Sequence, residues 1–313
     1  MGVEIIGLVS TPIFYVMKTV DTLVKDIYDL FSLDPIKMDE KEVDKHIDTF
    51  GEMLKVHIKA FMYEEPRTRG NLRLSAIGKP DRQLWYDVNS KKEIEDLAPS
   101  TRIKFLYGYI LEELLLLCAS IAGHKVTDQQ KEVSVEGVLG HQDAMIDDVL
   151  IDCKSASSYS FKKFKSNDLF GKGKDPFGYI GQISAYAEAN GIGGEGVRPD
   201  EIIAAFLVID KSTGELCLTP VRNTEKDNAT HRVNQVKGMV SNDHVPDRCY
   251  DPLDDGESGN LKLATGCIYC SHKRECWSDA NQGKGLRAFK YARGLNYLVK
   301  VSKEPKVEEV VNW

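Results

Sequence analysis

GHQDAMIDDVLIDCKSAS, residues Gly140–Ser157, is the stretch on which the fold turns. Its apolar residues recur in the rhythm of two short strands, with Ile146-Asp147-Asp148 as the turn between them. Five charged residues, Asp143, Asp147, Asp148, Asp152 and Lys154, interrupt what should be a half-buried hairpin. On a strand, residues two apart project to the same face. Asp152 and Lys154 therefore share one face, while Val149, Ile151 and Cys153 supply the oily one. Asp143 lies nine residues before Asp152, on the neighbouring strand, so a hairpin gathers Asp143, Asp152 and Lys154 at one point. Asp147 and Asp148 are expected in a solvated turn.

The 313 residues suffice for one large domain or two small ones, and 42% apolar content allows a substantial core. A formal net charge of -7 argues against a wholly basic nucleic-acid coat protein and leaves room for a local basic groove. The seven cysteines are odd in number and sparse, and three cluster at Cys267, Cys270 and Cys276. That usage fits a reducing compartment with a metal site better than a disulfide framework. The opening MGVEIIGLVSTPIFYVMKTV is apolar but carries Glu4 and Pro12, and it is too short for a span of about 20 apolar residues. The chain is expected to be soluble and cytoplasmic, with no membrane partner.

Residues 13–65 read as an amphipathic helical arm, with Val16, Val20, Leu23, Ile27 and Phe31 spaced by three and four. EEPRTRGNLRLSAIGKPDRQLWYDV reads as loop. PSTRIKFLYGYILEELLLLCASIAGHKV is the strongest helix, capped by Ser100 or Thr101 and ended by Gly123, with Glu112 and Glu113 in its middle. KEVSVEGV reads as a strand, DPFGYIGQISAYAEANG as a helix ended by Gly191, and EIIAAFLVID with ELCLTPV as a strand pair. TEKDNATHRVNQVKGMVSN reads as a helix, and LRAFKYARGLNYLVKVS as a last hairpin turning at Arg293-Gly294. This order implies an α/β fold with a helical N-terminal extension over 1–70 and one domain over 71–313.

Carboxylate oxygens gathered in this way are hard ligands for Mg²⁺ or Mn²⁺. Such ions polarise phosphoryl oxygens and acidify bound water, and a nearby ammonium orients the water or neutralises developing charge. Four ordered elements resemble the PD-(D/E)XK nuclease superfamily in its RecB-like branch. They are GYILE (Gly108–Glu112), GHQD (ending at Asp143), Asp152-Cys153-Lys154, and QISAY (Gln182–Tyr186). The resemblance implies a restriction-endonuclease-like core, a mixed central sheet flanked by helices. It also implies a two-metal site in which Glu112, Asp143, Asp152 and the Cys153 backbone carbonyl bind Mg²⁺ or Mn²⁺ and Lys154 assists the attacking water. Gln182 and Tyr186, four apart on one helix face, would border that site. Glu113 is an alternative ligand to Glu112. His124 and His141 are expected to be structural or to face nucleic acid.

SYSFKKFKSNDLFGKGKDPFGY follows the second strand, with Lys162, Lys163, Lys165, Lys172 and Lys174 among phenylalanines. Lysines track phosphates and aromatics stack on unpaired bases, so this loop is expected to contact DNA. CIYCSHKRECW is Cys-x₂-Cys-x₅-Cys, a thiolate pattern suited to a [4Fe-4S] cluster or Zn²⁺. It resembles the C-terminal cluster of iron–sulfur nucleases in the RecB-like branch, the CRISPR-associated kind included. In those proteins a fourth cysteine lies upstream of an Arg-x-Leu-Trp/Tyr-Tyr stretch. Here GKPDRQLWY supplies Arg82, Leu84, Trp85 and Tyr86 but no cysteine. Cys249 or Cys118 would have to supply the fourth thiolate, or His272 would complete a Cys₃His zinc site.

The reading is a metal-dependent DNA exonuclease that leaves 5′-phosphates. It also resembles phage-encoded members, which implies DNA recombination, replication or degradation beside a single-strand annealing or replication protein in the host cytoplasm. A binding module with an inactive site and a structure-specific endonuclease are the competing readings.

Overall fold

The computed structural model describes residues 18–32, 39–63, 70–90, 99–171, 173–292, 294–311 and 313, with backbone alone at 99–101. Its main helices are α1 (Leu23–Leu30), α2 (Glu40–Tyr63), α3 (Asp81–Asn89), α4 (Pro99–Ile121), α5 (Ser158–Lys165), α6 (Tyr179–Ala189) and α7 (Ala229–Val240). The strands of the N-terminal two sheets are β1 (Val126–Thr127), β2 (Glu132–Val135), β3 (Val138–His141), β4 (Ala144–Ile146), β5 (Val149–Ala156), β6 (Ile202–Asp210) and β7 (Leu216–Arg222). Val16, Lys172 and the apolar start of the chain lie outside the described residues, as do the side chains of Ser100 and Thr101.

The expected hairpin forms. β4 and β5 pair antiparallel, with Ala144 opposite Ile151 and Ile146 opposite Val149. Asp147 and Asp148 both take positive φ, 49° and 64°, the backbone of a type I′ turn that matches strand twist. From β5 the chain crosses through α5 and α6 to β6, which pairs with β5 in parallel, and β7 returns antiparallel. The resulting mixed sheet runs β1-β4-β5-β6-β7. One of its faces puts Ile151, Cys153, Ala205 and Leu207 against Leu23 and Ile27 of α1 and Leu115 and Leu116 of α4. The other puts Leu150, Ala156, Phe206 and Val208 against α6 and α7. Burial on both faces explains why β6 reads as a continuous apolar run. This is the restriction-endonuclease-like core, a mixed central sheet flanked by helices.

Several elements depart from the sequence reading. KEVSVEGV is not one strand: positive φ at Glu136 and Gly137 turns it into the separate β2–β3 hairpin. The stretch read as loop, residues 64–88, contains most of α3, and the lysine-rich segment begins with α5, whose Ser157 cap accepts from the Ser160 amide at 3.4 Å. Phe31, expected on the apolar stripe, is 73% exposed. The helix α2 keeps no fully buried residue and packs on α4. A second five-stranded sheet of β8 (Leu253–Asp254), β9 (Leu261–Lys262), β10 (Arg287–Tyr291), β11 (Gly294–Lys300) and β12 (Glu309–Val310) runs β12-β10-β11-β9-β8. Its centre is the expected last hairpin, β10 with β11. Among the described residues, no helix is long and apolar enough to cross a membrane.

The two turn aspartates are not equivalent. Asp148 is solvated and meets Lys125. Asp147 turns inward, where its carboxylate accepts from the Lys125 amide at 3.0 Å and lies 2.6 Å from Nδ1 of the buried His124. His124 Nε2 in turn lies 3.3 Å from Asp26 of α1, so the turn is tied to the first helix through one imidazole. Asparagine tolerates the same backbone. Asp147→Asn should therefore lower the urea midpoint by the equivalent of about 1–3 kcal/mol, from contacts to a buried partner. Asp148→Asn should stay within about 0.5 kcal/mol. Equilibrium unfolding with an unchanged m-value checks the contrast.

Candidate active site

The register of the hairpin builds the site. One step beyond the Ala144–Ile151 pair, Asp143 stands across from Asp152. Its carboxylate accepts the Cys153 backbone amide at 2.7 Å, so the second strand itself fixes the first aspartate. Lys154 Nζ lies 2.5 Å from Asp152 Oδ2. Gln182 donates to Asp152 Oδ1 at 3.1 Å, and its Oε1 accepts from Lys154 at 3.5 Å. One amide thus holds both members of the ion pair, and it donates to the Tyr186 hydroxyl at 3.5 Å. The structure therefore brings Asp143, Asp152, Lys154, Gln182 and Tyr186 together. Gly140 has a steric reason: a Cβ there would meet Leu74 Cβ at 2.8 Å and the Tyr186 ring at 2.9 Å. The glycine of GHQD and the tyrosine of QISAY are thus required by each other. Gly108 of GYILE has open space around it.

α4 adds two carboxylates. Glu112 accepts from Gln130 Nε2 at 2.6 Å, and its acid is pushed up to about 9 by burial and then by Asp143, Glu113 and Asp152. Burial and then Asp152 push Asp143 up to about 7. Asp152 is raised by burial, against the pull of Lys154. Burial works to lower the Lys154 ammonium, but Asp152 and Asp143 outweigh it and hold the group charged. Glu113, 1% exposed, accepts from or is bridged by His57 Nε2 at 2.9 Å, and the His57 ring stacks on Tyr109 at 4.8 Å. His57, Glu112 and Glu113 each offer a ligand atom, all within 4.8 Å of one another, and they form the one such group among the described residues. His57 sits on α2 in an ordinary amphipathic pattern. Only the packing of α2 on α4 gives it a role, so no signal in its own segment singles it out.

The donor set fits a hard divalent cation. Four carboxylates, Asp152 and Glu113 buried and Asp143 and Glu112 half-buried, interact in one cluster with a single lysine, and if all ionised they would leave an excess of negative charge that proteins do not bury uncompensated. Oxygen ligands suit Mg²⁺ or Mn²⁺, and the imidazole of His57 favours Mn²⁺ of the two.

The lysines divide. Lys165 is paired with Glu215, and Lys174 with Asp168 at 2.5 Å. Lys162 is exposed, and Lys163 lies over the exposed Tyr159 ring at 5.5 Å. Phe161 and Phe164, expected to offer stacking faces, are core residues at 2% and 3% exposure. His141 is exposed and 3.7 Å from Glu132.

An open recess is lined by Cys249, Cys267, Cys270 and Cys276. Cys249 lines this recess beside Arg82 and Gln83, and Arg82 Nε donates to Cys276 Sγ at 3.1 Å. The fourth sulfur thus reaches the DRQLWY stretch from a distant segment of sequence. Cys118 packs in the core beside Leu115 and Ala119, and His272 is committed to Asp87 at 2.7 Å. Burial, reinforced by neighbouring sulfurs, pushes the thiols of Cys267 and Cys270 up to about 11. The four sulfurs face one recess, but no three of them lie within 4.8 Å of one another, wider than the roughly 3.8 Å between thiolates on one tetrahedral zinc.

No protein-family model and no curated protein matches the chain. Solved structures with a similar arrangement include SSO0001, at 15% identity and TM-score 0.36, over 72% of this chain and 93% of that one. LHK-Exo in complex with dAMP is similar at 16% identity and TM-score 0.31, over 54% and 87%. The alkaline exonuclease LHK-Exo from Laribacter hongkongensis is similar at 15% and 0.27, over 53% and 86%. At these TM-scores the likenesses carry no weight in assigning the site.

Two outcomes follow from the geometry. Glu112 and Asp143 have folded-state acids raised to about 9 and about 7, so their contribution to stability is full below the ordinary carboxylate range and is lost as pH rises through those values. Chelator-treated protein should therefore lose Tm between pH 5 and 9, and added Mn²⁺ should raise Tm more at pH 8 than at pH 5, because the cation takes the place of protons. Metal analysis should show that Cys249→Ser loses most of the iron or zinc that Cys118→Ala retains.

Proposed function

We propose that the chain is a metal-dependent deoxyribonuclease of the PD-(D/E)XK superfamily, RecB-like branch, working as an exonuclease. The observation that carries this reading is the convergence of Asp143, Asp152, Lys154 and Gln182 in one hydrogen-bonded group, with the Glu112 carboxylate coupled to it electrostatically. A bound Mg²⁺ or Mn²⁺ supplies a Lewis acid for the scissile phosphoryl group and acidifies water. Asp143, Asp152 and the Cys153 carbonyl would hold a first ion together with Glu112, whose carboxylate lies within 4.8 Å of the His57 and Glu113 ligand atoms and would reach with them toward a second. Lys154, kept cationic by Asp152, orients the attacking water and offsets charge developing on the phosphate. Gln182 holds Asp152 and Lys154 in one geometry, and Tyr186 backs it.

Lys162 and Lys163 track the backbone, while Lys165 and Lys174 are engaged by carboxylates and contribute less. The extension over 1–70 delivers His57 to the domain over 71–313. The cysteine centre pins the second sheet to α3, and the wide spacing of its sulfurs favours a [4Fe-4S] cluster over Zn²⁺. A cytoplasmic role in phage DNA recombination or degradation, beside a single-strand annealing or replication protein, completes the proposal.

End-labelled linear duplex and closed circular DNA, each with Mg²⁺ or Mn²⁺, form the test. Linear DNA should be degraded from its ends and the closed circle spared. Asp152→Asn should reduce the rate about a thousandfold, equivalent to about 4 kcal/mol of lost transition-state stabilisation. Cutting of the circle would make the protein an endonuclease, and activity that survives Asp152→Asn would remove the site from the chemistry.

A further inference from the structure

A line of three aromatic rings runs from the catalytic lysine to the surface. Lys154 Nζ lies over the Tyr179 ring at 5.1 Å. Tyr179 meets Phe177 at 5.6 Å, and Phe177 meets Tyr269 at 6.0 Å. The rings meet obliquely, at 31° and 54°, and do not cover one another face to face. Exposure grows outward: Tyr179 is half-buried, Phe177 is 39% exposed and Tyr269 is 71% exposed. A single exposed aromatic needs no explanation. A contiguous set that ends on the group poised for hydrolysis does.

The supports of these rings are rigid. Phe177 and Tyr179 flank Gly178, whose φ of +76° and close backbone contact with Gly78 exclude any side chain: a Cβ on Gly178 would lie 2.2 Å from the Gly78 carbonyl carbon. Asp175 fixes the same turn by accepting the Gly178 amide at 2.9 Å and the Ile180 amide at 2.8 Å. Tyr269 sits between Cys267 and Cys270, so the segment that lines the cysteine recess also sets the position of its ring. Rings held in this way lose little entropy when they bind a planar ligand.

We propose that Phe177 and Tyr269 are a stacking platform for unpaired nucleobases of a DNA strand entering the site, with Tyr269 as the outer contact. The inference rests on the nuclease reading and assigns it a substrate form. Every base has a π-face, so the platform accepts any sequence. In a duplex those faces are covered by neighbouring bases, so the platform selects a single strand or a frayed end. It also gives the cysteine centre a second consequence, since the same ten-residue motif that closes the recess aims Tyr269 along the path to Lys154.

The probe is a single-stranded oligonucleotide carrying 2-aminopurine, whose fluorescence falls on stacking. It is titrated onto the uncut Asp152→Asn protein with Mn²⁺ present. Binding should quench the probe. Tyr269→Ala in that background should abolish the quench and weaken binding about tenfold or more, while Tyr269→Phe should preserve both. In the active protein Tyr269→Ala should raise KM with kcat within about twofold, and its metal content should equal that of the unsubstituted chain. Quench and affinity unchanged by Tyr269→Ala would overturn the platform, as would an equal loss of binding to a blunt duplex. If the unsubstituted protein fails to hydrolyse DNA, the nuclease reading falls, and the quench still decides whether the platform exists.

Discussion

The Asp152–Lys154 ion pair on one face of β5 is the constraint around which the rest is arranged. Two charges on a strand buried on both faces cost several kcal/mol each unless every lone pair and proton is met. The surroundings meet most of them, while the buried Asp152 Oδ2 faces Lys154 as an ion pair and makes no hydrogen bond. Gln182 bridges the pair, the Cys153 amide holds Asp143 beside it, and Tyr179 lies under the ammonium. The pair, however, neutralises only one of four carboxylates. The cluster meets the excess with protons, Glu112 being held protonated up to about 9, and a divalent cation would take the place of those protons.

That demand also accounts for the surrounding architecture. The helix α4 presents Glu112 and Glu113 toward the sheet, and α2 lies across α4 with His57 on Glu113. The N-terminal helix is thus tied to the same charge cluster as the hairpin. The close approach of Gly140 and Tyr186 joins the strand that precedes Asp143 to the helix that carries Gln182. Three of the four sequence motifs are therefore parts of one contact network. The cysteine recess lies beside α3 and belongs to a separate layer, joined to the site through Tyr269 and Phe177.

What could be read from sequence was what local periodicity carries. The alternation of Val149, Ile151 and Cys153 against Asp152 and Lys154 placed both faces of β5 correctly, because a strand's period of two leaves no freedom. The continuous apolar run of β6 and the helix of Gln182 and Tyr186 were legible for the same reason. Glu136-Gly137 was read through as strand, although its two positive-φ residues make a turn. The helix α3 was missed because its apolar positions, Leu84 and Tyr86, lie among polar residues and are buried by tertiary contacts. Asp147 has the sequence context of a solvated turn residue, since nothing local shows that His124 lies beneath it. His57 and the fit of Cys249 to Arg82 were invisible as geometry, because each depends on segments far apart in the chain meeting in space.

The central claim is that this buried acid cluster is a divalent-cation site. Diffraction at the manganese absorption edge from crystals soaked in Mn²⁺ tests it most directly. The account expects an anomalous peak bonded to Asp143 and Asp152, and a second between His57, Glu112 and Glu113. A fully soaked crystal with no peak among these carboxylates would contradict it.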